Sequence, residues 1–529
     1  MRKLNPPLFL FILFTPKKDR PLVGATPRPK NLKTFGGVAL LVNTIMGAGI
    51  PLLPSAFQQA GLVVSCLATL VVAVVSGFAA TMLAESMKFF PTNNNVHFSH
   101  RVEYSTLCKT YLGAGPFWMA QVLLNLSLLS MNLVSILLTV QVMDWTIVRI
   151  FGCTCGLILA PDHGGPDFGF RCVCFLANQC SHGDSPFQNA MVVGLGFVVV
   201  VCMIIPLSCL NLEDNILVQV VSCVIQIGII IQWIVTFFMR GLDWEGSAVA
   251  PGSFSASAAA AAQGALLGQV ILNYAFVVAI PSWCNDKHHS SSVNTTVWTS
   301  VGFSTGTFLI VGVLGALAFP NLNGESILTA INRATHGSLT SQISVYLFPL
   351  IAVASSIPVF CIIVRQNLVE NDICRLRWAN VWAVILPWIL AIPLTAGNEV
   401  FNSIATYTSI VFLAPINFLV PLWTYIVNKG NLSYVDSASA LSSMSFSERY
   451  PCLSSRIVPR ALRIYLDKER PSAPEHFALP ACARNSRTRK RAIVLGMMLL
   501  LGATIVFSLA MSIWQSVNGE QSLTNATSC

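Results

Sequence analysis

The stretch Gly36-Gly37-Val38-Ala39-Leu40-Leu41-Val42-Asn43-Thr44-Ile45-Met46-Gly47-Ala48-Gly49-Ile50-Pro51-Leu52-Leu53-Pro54 carries no charge, is long enough to cross a bilayer, and is built to break in its middle. A helix that spans the ~30 Å hydrocarbon core needs about 20 apolar residues. Here two Gly and two Pro follow Asn43 within a dozen residues. Gly weakens a helix, and Pro removes a backbone donor and blocks the turn before it. An interrupted helix at membrane depth survives where it lines a cavity, and there its freed amides and carbonyls bind a ligand. The alternative is a Gly/Pro kink in a tightly packed helix.

The rest of the chain sets the class. Of 529 residues, 54% are hydrophobic and 10% charged, against roughly 25% charged in soluble domains. The apolar residues fall into eleven long runs. The first five are Phe35–Gln58, Leu62–Phe89, Phe117–Ile150, Ala190–Cys209 and Ile216–Phe238. Then come Ala265–Trp283, Val297–Phe319, Ile343–Val364, Val381–Leu394, Ser403–Ile426 and Ala492–Ile513. Strands of a membrane barrel would be half as long and would alternate, so the expected class is an all-α polytopic membrane protein. The third run is over-long, and the ninth is short and holds Pro387-Trp388.

The net charge of +9 invites a nucleic-acid reading, but the basic residues lie in tails and loops on one side. With the N-terminus in the cytoplasm, the inner segments hold 27 of the 31 Lys and Arg and the outer segments 4. That asymmetry is the positive-inside pattern, and it places the C-terminus outside. The organisation expected is an N-terminal tail (1–33), a ten-helix core (34–428), a cytoplasmic loop (429–490), an eleventh helix (491–514) and an outer tail (515–529). The 429–490 loop is rich in Ser, Pro and Arg and reads as an insert or linker. Pro7 to Phe14 is apolar but too short to span, and no small-residue cleavage site stands beside it.

An outer loop, 151–188, holds Cys153, Cys155, Cys172, Cys174 and Cys180, with His163 and His182 among them. Thiolate and imidazole suit zinc, but the oxidising side of a membrane favours disulfides. With Cys529, six outer cysteines allow 15 pairings, so connectivity is not readable. Asn525-Ala526-Thr527 is a glycosylation sequon in the outer tail.

The sixth run, Gly268 to Trp283, again sets Asn273, aromatics and Pro281 at mid-membrane. Interruptions in the first and sixth spans are what two inverted five-helix repeats require.

These residues resemble a family. Asn43-x-x-Met46-Gly47-Ala48-Gly49-Ile50 is similar to the first-helix signature of the amino acid/auxin permease family, within the amino acid–polyamine–organocation superfamily. Asn273-Tyr274-Ala275-Phe276-Val277 through Ile280-Pro281-Ser282-Trp283 resembles the sixth helix of its vacuolar and fungal branches. Ser355-Ser356-Ile357-Pro358-Val359-Phe360 with Arg365-Gln366-Asn367-Leu368 resembles the eighth helix. Pro387-Trp388 and Pro415-Ile416-Asn417-Phe418 resemble the ninth and tenth. Cys284-Asn285-Asp286, the Cys-rich loop and the long insert depart from the pattern.

The resemblance implies a LeuT-like fold of two inverted five-helix repeats plus one extra helix. It implies a secondary transporter of small, neutral amino acids coupled to H⁺ or Na⁺, with no cofactor. The substrate would meet Asn43, Met46, Gly47, Ala48 and Gly49 on one side and Asn273, Tyr274 and Phe276 on the other. A cation would sit at Asn43, Ala352, Ser355 and Ser356, the last three a carbonyl followed by hydroxyls three and four residues on. Small polar residues at those positions equally serve close helix packing. The membrane is the plasma membrane or that of a vacuole or lysosome. Glu85, Asp144 and Asp286 lie near span ends and read as interfacial rather than as a proton relay. An enzyme would want clustered His or carboxylates at one membrane face, and His288-His289 beside Asp286 reads as a solvated loop. A transporter-like nutrient sensor is the remaining rival.

Overall fold

The computed structural model describes residues 32–90, 101–160, 168–174, 190–244, 256–288, 290–320, 326–334, 339–395, 407–428 and 487–526, together with Phe98, Pro186, Phe187, Leu322, Ala478 and Leu479. Among these residues, nine helices are long and apolar enough to cross a membrane. The pair Thr34–Ile45 and Ile50–Ala60, bent by 50°, makes a tenth span, and Leu195–Ser208 is a shorter apolar helix. The chain is an all-α polytopic membrane protein with one small sheet added.

The long apolar runs become spans because each satisfies its own backbone and turns one face outward. Val63, Leu67, Leu70 and Val74 of the second span are exposed, at helical spacing. So are Leu217, Val221, Val224, Ile231 and Val235 of the fifth. In water these stripes would form large apolar patches; against lipid they are at home. Within the bundle the first span packs on the fifth and seventh, and the second on the seventh and tenth. The third span is one helix of 38 residues, Ala114–Phe151, about 57 Å long at the usual rise.

Proline at membrane depth is absorbed by wider turns. Pro349 lies in the π turn Phe348–Val353, and Pro415 opens the π turn Pro415–Leu419. Pro387 follows the π turn Val381–Ile385. The added residue per turn relieves the ring clash and the lost donor. The ninth span also begins at Leu376 and runs 19 residues, longer than the apolar run alone predicts.

Two boundaries differ from the sequence expectation. The fourth run, expected as helix over Ala190–Cys209, is strand β3 at Met191–Gly194 and helix only over Leu195–Ser208. Its β-branched start pairs with β1 (Cys153–Ala160), which also pairs antiparallel with β2 (Gly169–Cys174), giving the order β2-β1-β3. The last helix extends over Arg487–Ala526, into the stretch expected as an outer tail.

The outer cysteines form two disulfides, Cys153–Cys174 and Cys155–Cys172. Each joins residues directly opposite in the β1–β2 register, so antiparallel pairing itself selects these partners. Cys180, His163, His182, Cys529 and the 429–477 part of the insert lie outside the described residues.

Candidate functional site

The first span stops being a helix where the sequence removes the means. Met46 makes the last regular bond, N–H to the Val42 carbonyl at 2.7 Å, and then leaves helical geometry at ψ 55°. A short 3₁₀ turn, Ile50–Leu52, leads into the helix Leu53–Ala60. The bonds bridging the break are long, Ile50 N to Gly47 O at 3.5 Å and Leu52 N to Gly49 O at 3.2 Å. Among the described residues, the backbone N–H groups of Gly47, Ala48 and Gly49 find no acceptor in the chain. Bare, mostly buried amides on an apolar background are an invitation to an anionic oxygen.

The sixth span breaks after Asn273 and resumes as the 3₁₀ turn Val277–Ala279 and the helix Ile280–Asp286. Pro281 at the start of that helix supplies no donor to the turn before it. Neighbouring spans satisfy several of the freed groups. The Tyr274 carbonyl accepts from Ser76 Oγ of the second span at 3.2 Å. Val278 N–H donates to Asn417 Oδ1 of the tenth at 3.2 Å. The Tyr274 hydroxyl pairs with Thr305 Oγ1 of the seventh at 2.5 Å.

The two breaks face each other at close range. A Cβ on Gly49 would stand 2.1 Å from Asn273 Oδ1, whereas one on Gly47 would meet nothing within 4 Å. At the other end, a Cβ on Gly37 would stand 2.6 Å from Trp283 Nε1. Glycine at 37 and 49 thus lets the first span lie directly on the sixth. Both atoms of the Asn273 carboxamide are buried without a partner, a state that costs about 1–3 kcal/mol until something pairs with them.

Between them lies a cavity of about 20 Å³, room for a water or two. Gly47, Ala48, Gly49 and Asn273 form its polar side. Met131 and Val134 of the third span and Phe360 of the eighth form the apolar side, with Ser356 at the edge. No charged side chain among the described residues lines it. Four of the eight residues expected at the substrate are therefore brought together here, and four are not. Asn43 pairs with the fifth span, Met46 offers its carbonyl to Gln226, Tyr274 turns to the seventh span, and Phe276 is fully buried off the cavity.

The fifth span supplies what sequence reasoning missed. Gln219, Ser222 and Gln226 recur along one face of its helix and are buried. Asn43 Nδ2 donates to the Gln219 carbonyl at 2.8 Å and to its Oε1 at 2.9 Å, and Gln219 Nε2 donates to the Ser355 carbonyl at 2.8 Å. Gln226 Nε2 donates to the Met46 carbonyl at 2.9 Å, one of the carbonyls released by the break. The signal was present as three polar residues at helical spacing in an otherwise apolar run; their partners were not.

The expected cation residues lie where these chains meet. Ser355 and Ser356 are buried, and their hydroxyls donate to the carbonyls of Ala352 and Val353 at 3.0 and 2.7 Å. Ser222 Oγ stands 2.9 Å from Ser355 Oγ. Asn43 Oδ1 is buried and unpaired. The bonds of Nδ2 to Gln219 fix the carboxamide, so a hard oxygen is left buried without a donor.

Two carboxylates near span ends are buried within the protein. Asp144 is 3% exposed and accepts from Gly196 N–H at 2.8 Å and from Thr154 Oγ1 at 3.2 Å. It caps the helix Leu195–Ser208 from across the chain, where an anion belongs. Glu85 is 1% exposed and bonded to Tyr425 and Ala478.

A solved structure carries this arrangement of spans. The chain shares the fold of MhsT. Structural superposition gives a TM-score of 0.54 at 12% identity, over 92% of this chain and 100% of that one. MhsT was solved in complex with L-phenylalanine. Likeness to MhsT at this identity speaks for the fold alone, a LeuT-type one. No protein-family model matches the chain, and no curated relative does.

Proposed function

We propose that this chain is a secondary active transporter of small neutral amino acids, driven by Na⁺ or H⁺. One observation carries the reading: the acceptor-free amides of Gly47, Ala48 and Gly49 face the unpaired carboxamide of Asn273 across a cavity with no charged wall. An α-carboxylate fits the amides, as anions fit clustered backbone N–H groups. An α-ammonium fits Asn273 Oδ1. The apolar side formed by Met131, Val134 and Phe360 fits a short uncharged side chain and penalises a charged one.

The likeness to MhsT supports this reading through the fold. In the closed shape described here, the cavity must enlarge by movement of its walls before an amino acid enters, as alternating access requires. The coupling ion is placed at Asn43 Oδ1, Ala352, Ser355 and Ser356, an all-oxygen set suited to a hard cation. The bilayer is the plasma membrane or a vacuolar or lysosomal one, with the basic face in the cytoplasm.

Reconstituted protein, offered a panel of amino acids with Na⁺ and pH gradients imposed separately, tests the proposal. Gradient-driven accumulation of small neutral amino acids is expected. A protein that binds them and moves none would instead be a sensor on a transporter scaffold.

A further inference from the structure

Glu85 lies near the end of the second span on the face that its basic residues assign to the cytoplasm. A buried carboxylate at the edge of the apolar layer is expensive unless donors surround it. Its donors come from far along the chain. The Tyr425 hydroxyl, on the tenth span, stands 3.3 and 3.2 Å from Oε1 and Oε2. The backbone N–H of Ala478 donates to Oε2 at 2.8 Å. Lys490, at the start of the last helix and 7% exposed, sets its ammonium 4.2 Å from the centre of the Tyr425 ring. Lys490 and Lys88 both lie within electrostatic reach of the carboxylate.

Ala478 and Leu479 belong to the long insert between the tenth and last spans, yet they are 8% and 3% exposed and join the main apolar core. An insert rich in Ser and Arg has little reason to bury an apolar pair by itself. The seat it occupies joins the second span to the tenth. Those two spans also hold the sixth-span break, Ser76 through the Tyr274 carbonyl and Asn417 through Val278 N–H.

We propose that Ala478–Leu479 is a docked clip: seated on Glu85, it ties the cytoplasmic ends of the second and tenth spans together and restrains the sixth-span break. The insert thereby becomes a regulatory element. Release of the clip loosens the break, and whatever displaces the insert acts on the core through Glu85.

Amide hydrogen exchange on the full chain in detergent or nanodiscs tests both halves without any substrate, so its outcome is independent of the transport reading. In the unaltered protein the Ala478 amide exchanges slowly. Glu85→Ala should speed it roughly tenfold or more, since a bond to a charged acceptor is lost, while amides over Leu266–Ile271 keep their protection and report an intact fold. Ala478→Pro deletes the donor while keeping a small apolar side chain at that core position; it should speed exchange across 274–279 several-fold. An unprotected Ala478 amide in the unaltered protein, or protection unchanged in Glu85→Ala, overturns the docking. Unchanged exchange across 274–279 in Ala478→Pro overturns the restraint. Should Glu85→Ala fail to fold, Ala478→Pro alone decides, because it removes only the backbone donor and keeps the buried carboxylate with its Tyr425 partner.

Discussion

The first and sixth spans break at facing positions but by different means. In the first, Gly47, Gly49 and Pro51 dismantle the helix, and three successive amides are left without acceptors. In the sixth, the freed Tyr274 carbonyl and Val278 amide are taken up by Ser76 and Asn417, and the Tyr274 hydroxyl by Thr305. One break is left chemically open. The other is partly braced by its neighbours, although its Phe276 and Val277 amides also find no acceptor among the described residues. Open amides store binding capacity for a ligand, whereas braced ones store rigidity, because every buried polar group that is already paired has nothing further to gain. Under the proposed function, the first break is the grip on the substrate and the sixth the hinge that positions Asn273 opposite it.

The largest effect that separates the two is expected at Gly49. A Leu there drives its Cβ into the Asn273 carboxamide and fills the approach to the amides, so uptake per molecule delivered to the membrane should vanish even where the crowded contact lowers expression. Full uptake with unchanged apparent affinity would show that the first break does not hold the substrate.

The outer hairpin gives a reference far from both breaks. Reduction of Cys153–Cys174 and Cys155–Cys172 should cost about 2–4 kcal/mol of local stability, read as a lower melting temperature and a shifted gel mobility. A chelator should change neither, and stability lost to chelator alone would revive the zinc reading. At the braced break, Asn417→Leu leaves Val278 N–H buried and unpaired, a loss of about 1–3 kcal/mol. It should lower the melting temperature and alter turnover more than apparent affinity. A loss confined to affinity would make the sixth break part of the grip.

Smaller effects follow. Ser355→Ala combined with Ser356→Ala should weaken Na⁺ dependence without unfolding the chain, each neutral ligand contributing about 1–3 kcal/mol. Uptake driven equally by a pH gradient in Na⁺-free buffer would remove Na⁺ from that site. Gly47→Ala, whose Cβ meets open space, should be the mildest, shifting preference toward smaller substrates by less than about tenfold.

Much of this was legible in the sequence, for physical reasons. Lipid forces long apolar runs, so the order of the spans followed from hydropathy. Of the eleven expected, ten are long enough to cross among the described residues, and the fourth is the shorter helix Leu195–Ser208. Gly47, Gly49, Pro51 and Pro281 announce both breaks because those residues act locally. What stayed hidden depends on partners brought from elsewhere. Met191–Gly194 runs into an apolar helix without a change in hydropathy, and only pairing with β1 makes it a strand. Tyr274 sits at the break in sequence, yet its ring goes to Thr305 and Phe308 of the seventh span. Glu85 reads as interfacial until Ala478, 393 positions away, supplies its donor. The fifth-span seam of Gln219, Ser222 and Gln226 was visible as a pattern and opaque as chemistry.

The most direct measurement follows the amides themselves. Purified chain should be taken through hydrogen exchange with and without an amino acid that the uptake panel shows to be transported. Exchange at Gly47, Ala48 and Gly49 should be fast without it and slow by at least about tenfold at saturation, while Val278, already paired with Asn417, changes little. A saturating amino acid that leaves Gly47–Gly49 as exchangeable as before, or protects only the 274–279 segment, would contradict the assignment of the first break as the substrate's grip.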